Sequence, residues 1–320
     1  MKQDSNSPIS HPSEKPASEE VAAAVCVMTF NANDPSGAGG LTGDTAAIAS
    51  VGAHALAIVT GTYVRDTTEI VDFVAFDDDT VADQARTVFQ DMPVQAIKVG
   101  FAGSPENLAT IAELTADYAD VPVIAYMPSL SWWSDDLIDQ YLDAFVELLL
   151  PQTSVLVGNH STLRRWLLPD WENDRLPTAR EIAKAASVKG VPYTLVTGVP
   201  VDKEHFDNVL CTPQAVLGNG QFERFELSFA GAGDTLSAAL AALIACDNDL
   251  GDATREALTY LDGCLAAGYR PGMGQLLPDR MFWAQPDEDE EDEEQAASSE
   301  SDDADKGIDA SRMPPNDTSH

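Results

Sequence analysis

Basic residues are scarce: 18 Lys and Arg stand against 53 Asp and Glu, a net charge of −35 over 320 residues. Such a surface repels a phosphate backbone, which excludes nucleic acid as an expected partner. Cysteine is also sparse. Cys26, Cys211, Cys246 and Cys264 form no CxxC pair and lack the His spacing of a metal site. They read as small buried hydrophobes in a reducing compartment, so the expected location is cytoplasmic, and no metal ligands are legible. No apolar run follows a basic start, because residues 1–20 are rich in Ser, Pro and Glu. Neither secretion nor a membrane span is expected.

What is present suffices for a large core, with 44% hydrophobic residues. From Asp287 to His320 there are 14 acidic and 2 basic residues, a balance of −12, and the first twenty residues contribute −2. About −21 therefore belongs to the body. Residues 1–20 read as a flexible lead and 286–320 as a disordered acidic tail, since neither offers much to bury. Residues 21–285 read as one domain without repeats.

Apolar runs over 21–30, 55–60, 96–99, 121–125, 154–157 and 193–196 predict strands. Helical stretches over 45–51, 78–90, 105–118, 135–150 and 178–186 alternate with them. This alternation predicts an α/β fold with an open, mostly parallel sheet covered on both faces. Ligands in such folds bind beyond the carboxyl ends of the strands.

The stretch FELSFAGAGDTLSAALAALIA, over 225–245, carries the strongest chemical signal. Gly231, Ala232 and Gly233 open into a helix expected to begin near Asp234. Free N–H groups at that end can hold an anion, and Asp234 can take a proton from a hydroxyl, the equipment of phosphoryl transfer. The bland alternative is Asp234 as an ordinary N-cap. The loop Asp34–Asp44 lacks the Lys of a P-loop, and Gly61 and Thr62 stand where a dinucleotide fold needs an acid. Its glycines instead suit a small planar or hydroxylated substrate, with Asp44 as an anchor or merely a solvated helix residue. Lys98 ends a strand and either reaches the crevice or lies at the surface. Asn159, Thr197 and Gly198 follow strands, where they serve a nucleotide or simply make turns. Trp132 and Trp133 are expected to pack a loop on the body.

Four ordered segments carry a family resemblance. DPSGAGGLTGDTAAIASVGAHALAIVTGTYVRDT, IKVGFAGSPE, LLLPQTSVLVGNHSTL and FAGAGDTLSAALAAL resemble, in order over about 25–270, the bacterial hydroxymethylpyrimidine/phosphomethylpyrimidine kinases of the ribokinase-like superfamily. The resemblance implies a three-layer α/β/α fold, ATP with Mg²⁺, and phosphorylation of an aminopyrimidine's hydroxymethyl group and then of its monophosphate in thiamine synthesis. It also implies a homodimer. By position it puts Asp44, Arg65, Lys98 and Phe101 at the pyrimidine site and Asn159, Thr197 and Gly198 on the nucleotide side. Gly231, Ala232 and Gly233 become the anion hole and Asp234 the base. Departures are specific. Asp234 stands for the usual Cys, Arg65 for Gln, Thr197 for Lys, Thr162 for Glu, and Tyr126 lies in the region of an Asp. Asp234 and Thr197 are more like pyridoxal kinases, which keeps that activity as an alternative; the missing acids keep a non-catalytic ligand-binding protein as another.

Overall fold

The first strand sets the plan of the molecule. In the computed structural model, which describes residues 24–284, β1 (Cys26–Asn33) is buried along all but its last residue. A strand covered on both faces belongs at the centre of a parallel sheet. Its neighbours are β2 (His54–Arg65) and β4 (Ala96–Val99), both parallel to it.

Nine strands form one sheet in the order β3-β2-β1-β4-β5-β6-β7-β8-β9. The remaining strands are β3 (Ile70–Ala75), β5 (Val123–Met127), β6 (Val155–Asn159), β7 (Tyr193–Pro200), β8 (His205–Cys211) and β9 (Val216–Glu223). From β2 to β7 across the centre the pairing is parallel; β3, β8 and β9 add antiparallel edges. The chain leaves β1 towards β2 and later returns on the other side at β4. That reversal opens a crevice at the carboxyl ends of β1 and β4, where open α/β sheets receive ligands.

Helices cover both faces. On one lie α2 (Asp78–Asp91), α3 (Pro105–Asp117), α4 (Asp135–Ala144), α5 (His160–Leu167) and α6 (Ala179–Val188), which enclose the larger apolar cluster. On the other lie α1 (Gly40–Ser50), α7 (Ala232–Ala245) and α8 (Leu250–Ala266) around the second cluster. Helix α7 is buried continuously from Thr235 to Leu243. Its Ala and Leu residues are apolar on every side, as expected of a helix wrapped by sheet and neighbours. The expected open sheet with two covered faces is thus present among the described residues. The assignments for residues 1–20 and 286–320 lie outside them.

Several bounds differ from the sequence reading. Helix α1 begins at Gly40 rather than Thr45, although glycine is a poor helix former. The helix read as 135–150 ends as α4 at Ala144, followed by a π-turn over Phe145–Leu149 and a 3₁₀ turn over Leu150–Gln152, where Pro151 lacks the N–H needed to continue. Strands β3, β8 and β9 and helices α5 and α8 were not anticipated.

Candidate active site

Side chains alternate across a strand, which sorts the end of β1 into two faces. Met28, Phe30, Ile97 and Val99 belong to the larger cluster, whereas Val27 and Ala96 pack with α7. Thr29 and Asn31 on β1 and Lys98 on β4 share the α7 face. They meet Asp44 of α1 and Asp234 of α7 there. Lys98 is fully buried, and its Nζ donates to both Asp44 oxygens at 2.8 Å and to Asp234 Oδ1 at 3.0 Å. Asp44 Oδ2 also accepts from the Thr29 hydroxyl at 2.7 Å and from Asn31 Nδ2 at 2.9 Å. The same Asn31 nitrogen donates to Asp234 Oδ1 at 2.9 Å, while its oxygen accepts the N–H groups of Ala32 and Phe101. Asn31 therefore ties both carboxylates to the sheet.

Asp234 is the third residue of α7, whose N-cap is Gly231, so the helix starts two residues before the expected position. Its carboxylate does not cap its own helix. Oδ2 accepts the N–H of Gly40 at 3.1 Å, and the side chain keeps 18% exposure. The ordinary N-cap alternative is thereby corrected. A carboxylate oxygen offers two lone pairs, so Oδ2 retains one for an incoming hydroxyl. Gly231 has φ +82°, and a Cβ there would lie 1.6 Å from the carbonyl oxygen of Ala38. Only glycine permits that contact, which joins the loop before α7 to the loop before α1.

Arg280 fastens the same two loops from behind. It is 7% exposed, and its guanidinium donates to Thr235 Oγ1 at 2.9 Å, to the Gly37 carbonyl at 3.2 Å and to the Ala38 carbonyl. Sequence reasoning missed Arg280, Thr29 and Asn31. For the last two a signal existed, since polar residues two apart interrupt one face of an apolar strand; Arg280 had none beyond the rarity of Arg in this chain.

Burial opposes the charge of each ionisable group here, and the pairings decide the outcome. Burial and the neighbouring Asp234 raise the Asp44 carboxyl above the usual Asp range against the pull of Lys98. For Asp234 burial is outweighed by Lys98, with Asn31 and Gly40 helping, and its carboxyl is held below that range. Lys98 is held above the ordinary Lys range by the two carboxylates in spite of its burial. Asp234 is thus the more readily ionised acid, and at neutral pH it is able to receive a proton.

A cavity of about 580 Å³ runs from Ala232 and Gly233 past Asn159, Thr197 and Gly198 to Phe206, Phe222 and Arg224. Turn-making and cavity-lining coincide at these residues. Asn159 caps α5 by accepting the Ser161 N–H at 3.0 Å, and Gly198, at φ +66°, donates its N–H to Asn208 Oδ1. Two expected substrate residues are placed differently from Asp44 and Lys98. Arg65 pairs with Asp34, Nη1 to Oδ2 at 3.2 Å, and lines a separate cavity of about 480 Å³ with Pro35, Ser36 and Met273. Phe101 is 2% exposed, packed among Tyr63, Phe73, Trp132, Trp133 and Tyr141, so it braces the crevice from beneath. The tryptophan pair packs its loop on the body as expected.

Among the described residues no group of three or more His, Cys, Asp or Glu could hold a metal ion. Asn159, Thr197 and backbone N–H groups do not fit a protein-held Mg²⁺, which favours carboxylates. Nor, among the described residues, is any helix long and apolar enough to cross a membrane.

A family model described as phosphomethylpyrimidine kinase matches residues 34–279. The hydroxymethylpyrimidine/phosphomethylpyrimidine kinase of Mycobacterium tuberculosis (strain ATCC 25618 / H37Rv) is 29% identical over 259 residues, covering 78% of this chain and 90% of that protein. The protein of the same name from Escherichia coli K12 is 26% identical over 246 residues, covering 75% and 90%. In fold, the chain is similar to a Staphylococcus aureus pyridoxal kinase solved with AMP-PCP and pyridoxal, at TM-score 0.72 and 17% identity over 83% of this chain and 96% of that one. It is also similar to the phosphomethylpyrimidine kinase of Clostridium difficile 630, at TM-score 0.63 and 18% identity over 75% and 99%. The family match opens at Asp34 and closes at Asp279, so it spans Asp44, Lys98, the cavity and Asp234. This chain belongs to the phosphomethylpyrimidine kinase family.

Proposed function

We propose that the protein is an ATP-dependent kinase that phosphorylates the hydroxymethyl group of 4-amino-5-hydroxymethyl-2-methylpyrimidine and then its monophosphate, in thiamine formation. The observation that carries this reading is Asp234: an ionised carboxylate with a free lone pair, one residue beyond the glycine-lined end of a nucleotide-sized cavity. A magnesium ion accompanying ATP would supply charge neutralisation at the phosphates without a carboxylate set among the described residues to hold it. The N–H groups of Gly231, Ala232 and Gly233 face the phosphates, and Asn159, Thr197 and Gly198 line the path to the base and sugar.

Asp234 receives the alcohol proton. Phosphoryl transfer has a loose transition state, so the proton need leave only as the new O–P bond forms, and a weakly basic carboxylate serves. Asp44 and Lys98 hold Asp234 in place and set its charge. Phe101 supports the acceptor's floor, and Arg65, through Asp34, fixes the loop at its rim.

The test is a turnover screen with purified protein, ATP and either the hydroxymethylpyrimidine, its monophosphate or pyridoxal. Successive formation of the mono- and diphosphate of the pyrimidine is expected. Preferential turnover of pyridoxal, the alternative motivated by Asp234 and Thr197, overturns the acceptor assignment. No phosphoryl transfer to any of them favours a ligand-binding protein.

A further inference from the structure

Tyr126 lies on β5, beside the charged cluster but outside its hydrogen bonds. Its neighbours in the strand, Ala125 and Met127, belong to the larger apolar cluster, whereas Tyr126 packs against the α7 side. Lys98 Nζ stands 5.8 Å from its ring centroid. The hydroxyl meets α7 at Gly233, so closely that a Cβ on that glycine would sit 2.1 Å from Oη. Gly233 and Ala232 in turn line the 580 Å³ cavity. The phenol oxygen therefore stands where the cavity ends and the Asp234 turn begins.

Thr29, Asn31, Asp44, Lys98 and Asp234 satisfy one another. The Tyr126 hydroxyl has no hydrogen-bond partner among the described residues, and the residue is half-buried. Solvent reaches the phenol oxygen, so its proton is free to be donated to a ligand entering beside the turn. Burial, followed by the charges of Asp234 and Asp44, pushes this phenol well above the ordinary Tyr range, so it remains a donor at any physiological pH.

We propose that Tyr126 is a catalytic residue whose hydroxyl donates a hydrogen bond to an oxygen of the phosphoryl group in transit. This rests on the kinase reading above. The acceptor's alcohol oxygen forms its bond to the γ-phosphorus while the bond to the β,γ-bridging oxygen breaks, the electron pair leaving on ADP. The alcohol proton goes to Asp234, and Tyr126 keeps its own. A neutral donor suits the position. Two carboxylates already face a single ammonium here, and a third would repel the phosphoryl oxygens.

Tyr126→Phe removes the oxygen and leaves the ring and its packing in place. With MgATP and the turned-over alcohol, kcat should fall roughly 10- to 100-fold, at or below the loss for one oxyanion-hole donor. The KM for the alcohol should stay within about twofold, because the contact serves the phosphoryl group rather than the acceptor. In calorimetric titrations, the preference for AMP-PNP over ADP should shrink about tenfold, since only the former carries the γ-phosphate. Where the parent turns over, an unchanged kcat in Y126F overturns the assignment. Where the parent phosphorylates no alcohol, the substrate reading fails and the AMP-PNP to ADP ratio decides alone: a loss in Y126F sustains the contact, and an unchanged ratio overturns it.

Discussion

Asp44 and Asp234 share one ammonium. Lys98 Nζ lies 2.8 Å from the first carboxylate and 3.0 Å from the second, and Asn31 spans the same pair with one amide nitrogen. Two acids around one base leave a net negative charge, and the less buried acid is the one next to the cavity end. The arrangement separates their tasks: Asp44 anchors the cation and Asp234 keeps a free lone pair.

Replacing Asp234 by Asn preserves shape and hydrogen-bond reach but removes the proton acceptor. A fall in kcat of about 10²–10⁴ is expected, with a lower melting temperature, because the new amide nitrogen must face a donor, either Lys98 Nζ and Asn31 Nδ2 or the Gly40 N–H. Steady-state kinetics beside a thermal melt check it, and turnover within a few-fold of the parent contradicts the assigned role.

Lys98→Met strips the buried Asp44 and the partly exposed Asp234 of their cation. Breaking such a pair costs about 3–5 kcal/mol. Urea unfolding should show that loss, and adding Asp44→Asn should recover part of it because one uncompensated charge is then gone. Equal stability of the single and double variants would mean that the carboxylates are relieved in another way.

Arg280→Ala should free the carbonyls of Gly37 and Ala38 and loosen the loop that donates Gly40 N–H to Asp234. Turnover should drop about tenfold or more, as small displacements of positioned groups do. Arg280→Lys should rescue little, since a compact ammonium cannot span a hydroxyl and two carbonyls in the planar manner of a guanidinium. Full rescue by Lys would reduce the residue to a charge.

The pH dependence has a defined sign. Because Asp234 is held below the ordinary carboxylate range, the acid limb of kcat should lie below about pH 3.9, with a plateau above it. The stability contributed by the depressed Asp234 is present above its unfolded pKa and lost as pH falls through its folded value. Lys98, held above the ordinary range, contributes stability in full below about pH 10.4 and loses it as pH rises through its folded value. An acid limb near neutrality would identify a different base.

Much of this was legible because local and global preferences agreed. Ala96–Val99 was read to the residue, since a short apolar run between polar segments has few other homes. The glycine turn before α7 announced itself through composition. What stayed hidden depends on contacts remote in sequence. Helix α1 starts at Gly40 because tertiary contacts hold its first turn, overriding a weak local propensity. β9, VLGNGQFE, is a largely exposed edge strand with two glycines, so its pattern resembles a loop. The resemblance assigns Arg65 to the substrate by position alone; its partner, Asp34, is 31 positions away, a pairing that no local pattern announces.

Gly231 and Ala38 touch through backbone atoms alone, with no side chain between them. No change of rotamer can part that seam, so the proposed proton acceptor and the turn proposed to face the phosphates keep a fixed spacing from the loop before α1. Whatever moves to admit a substrate must therefore belong to the periphery, where the Asp34–Arg65 bridge and the exposed Met273 border their own hollow.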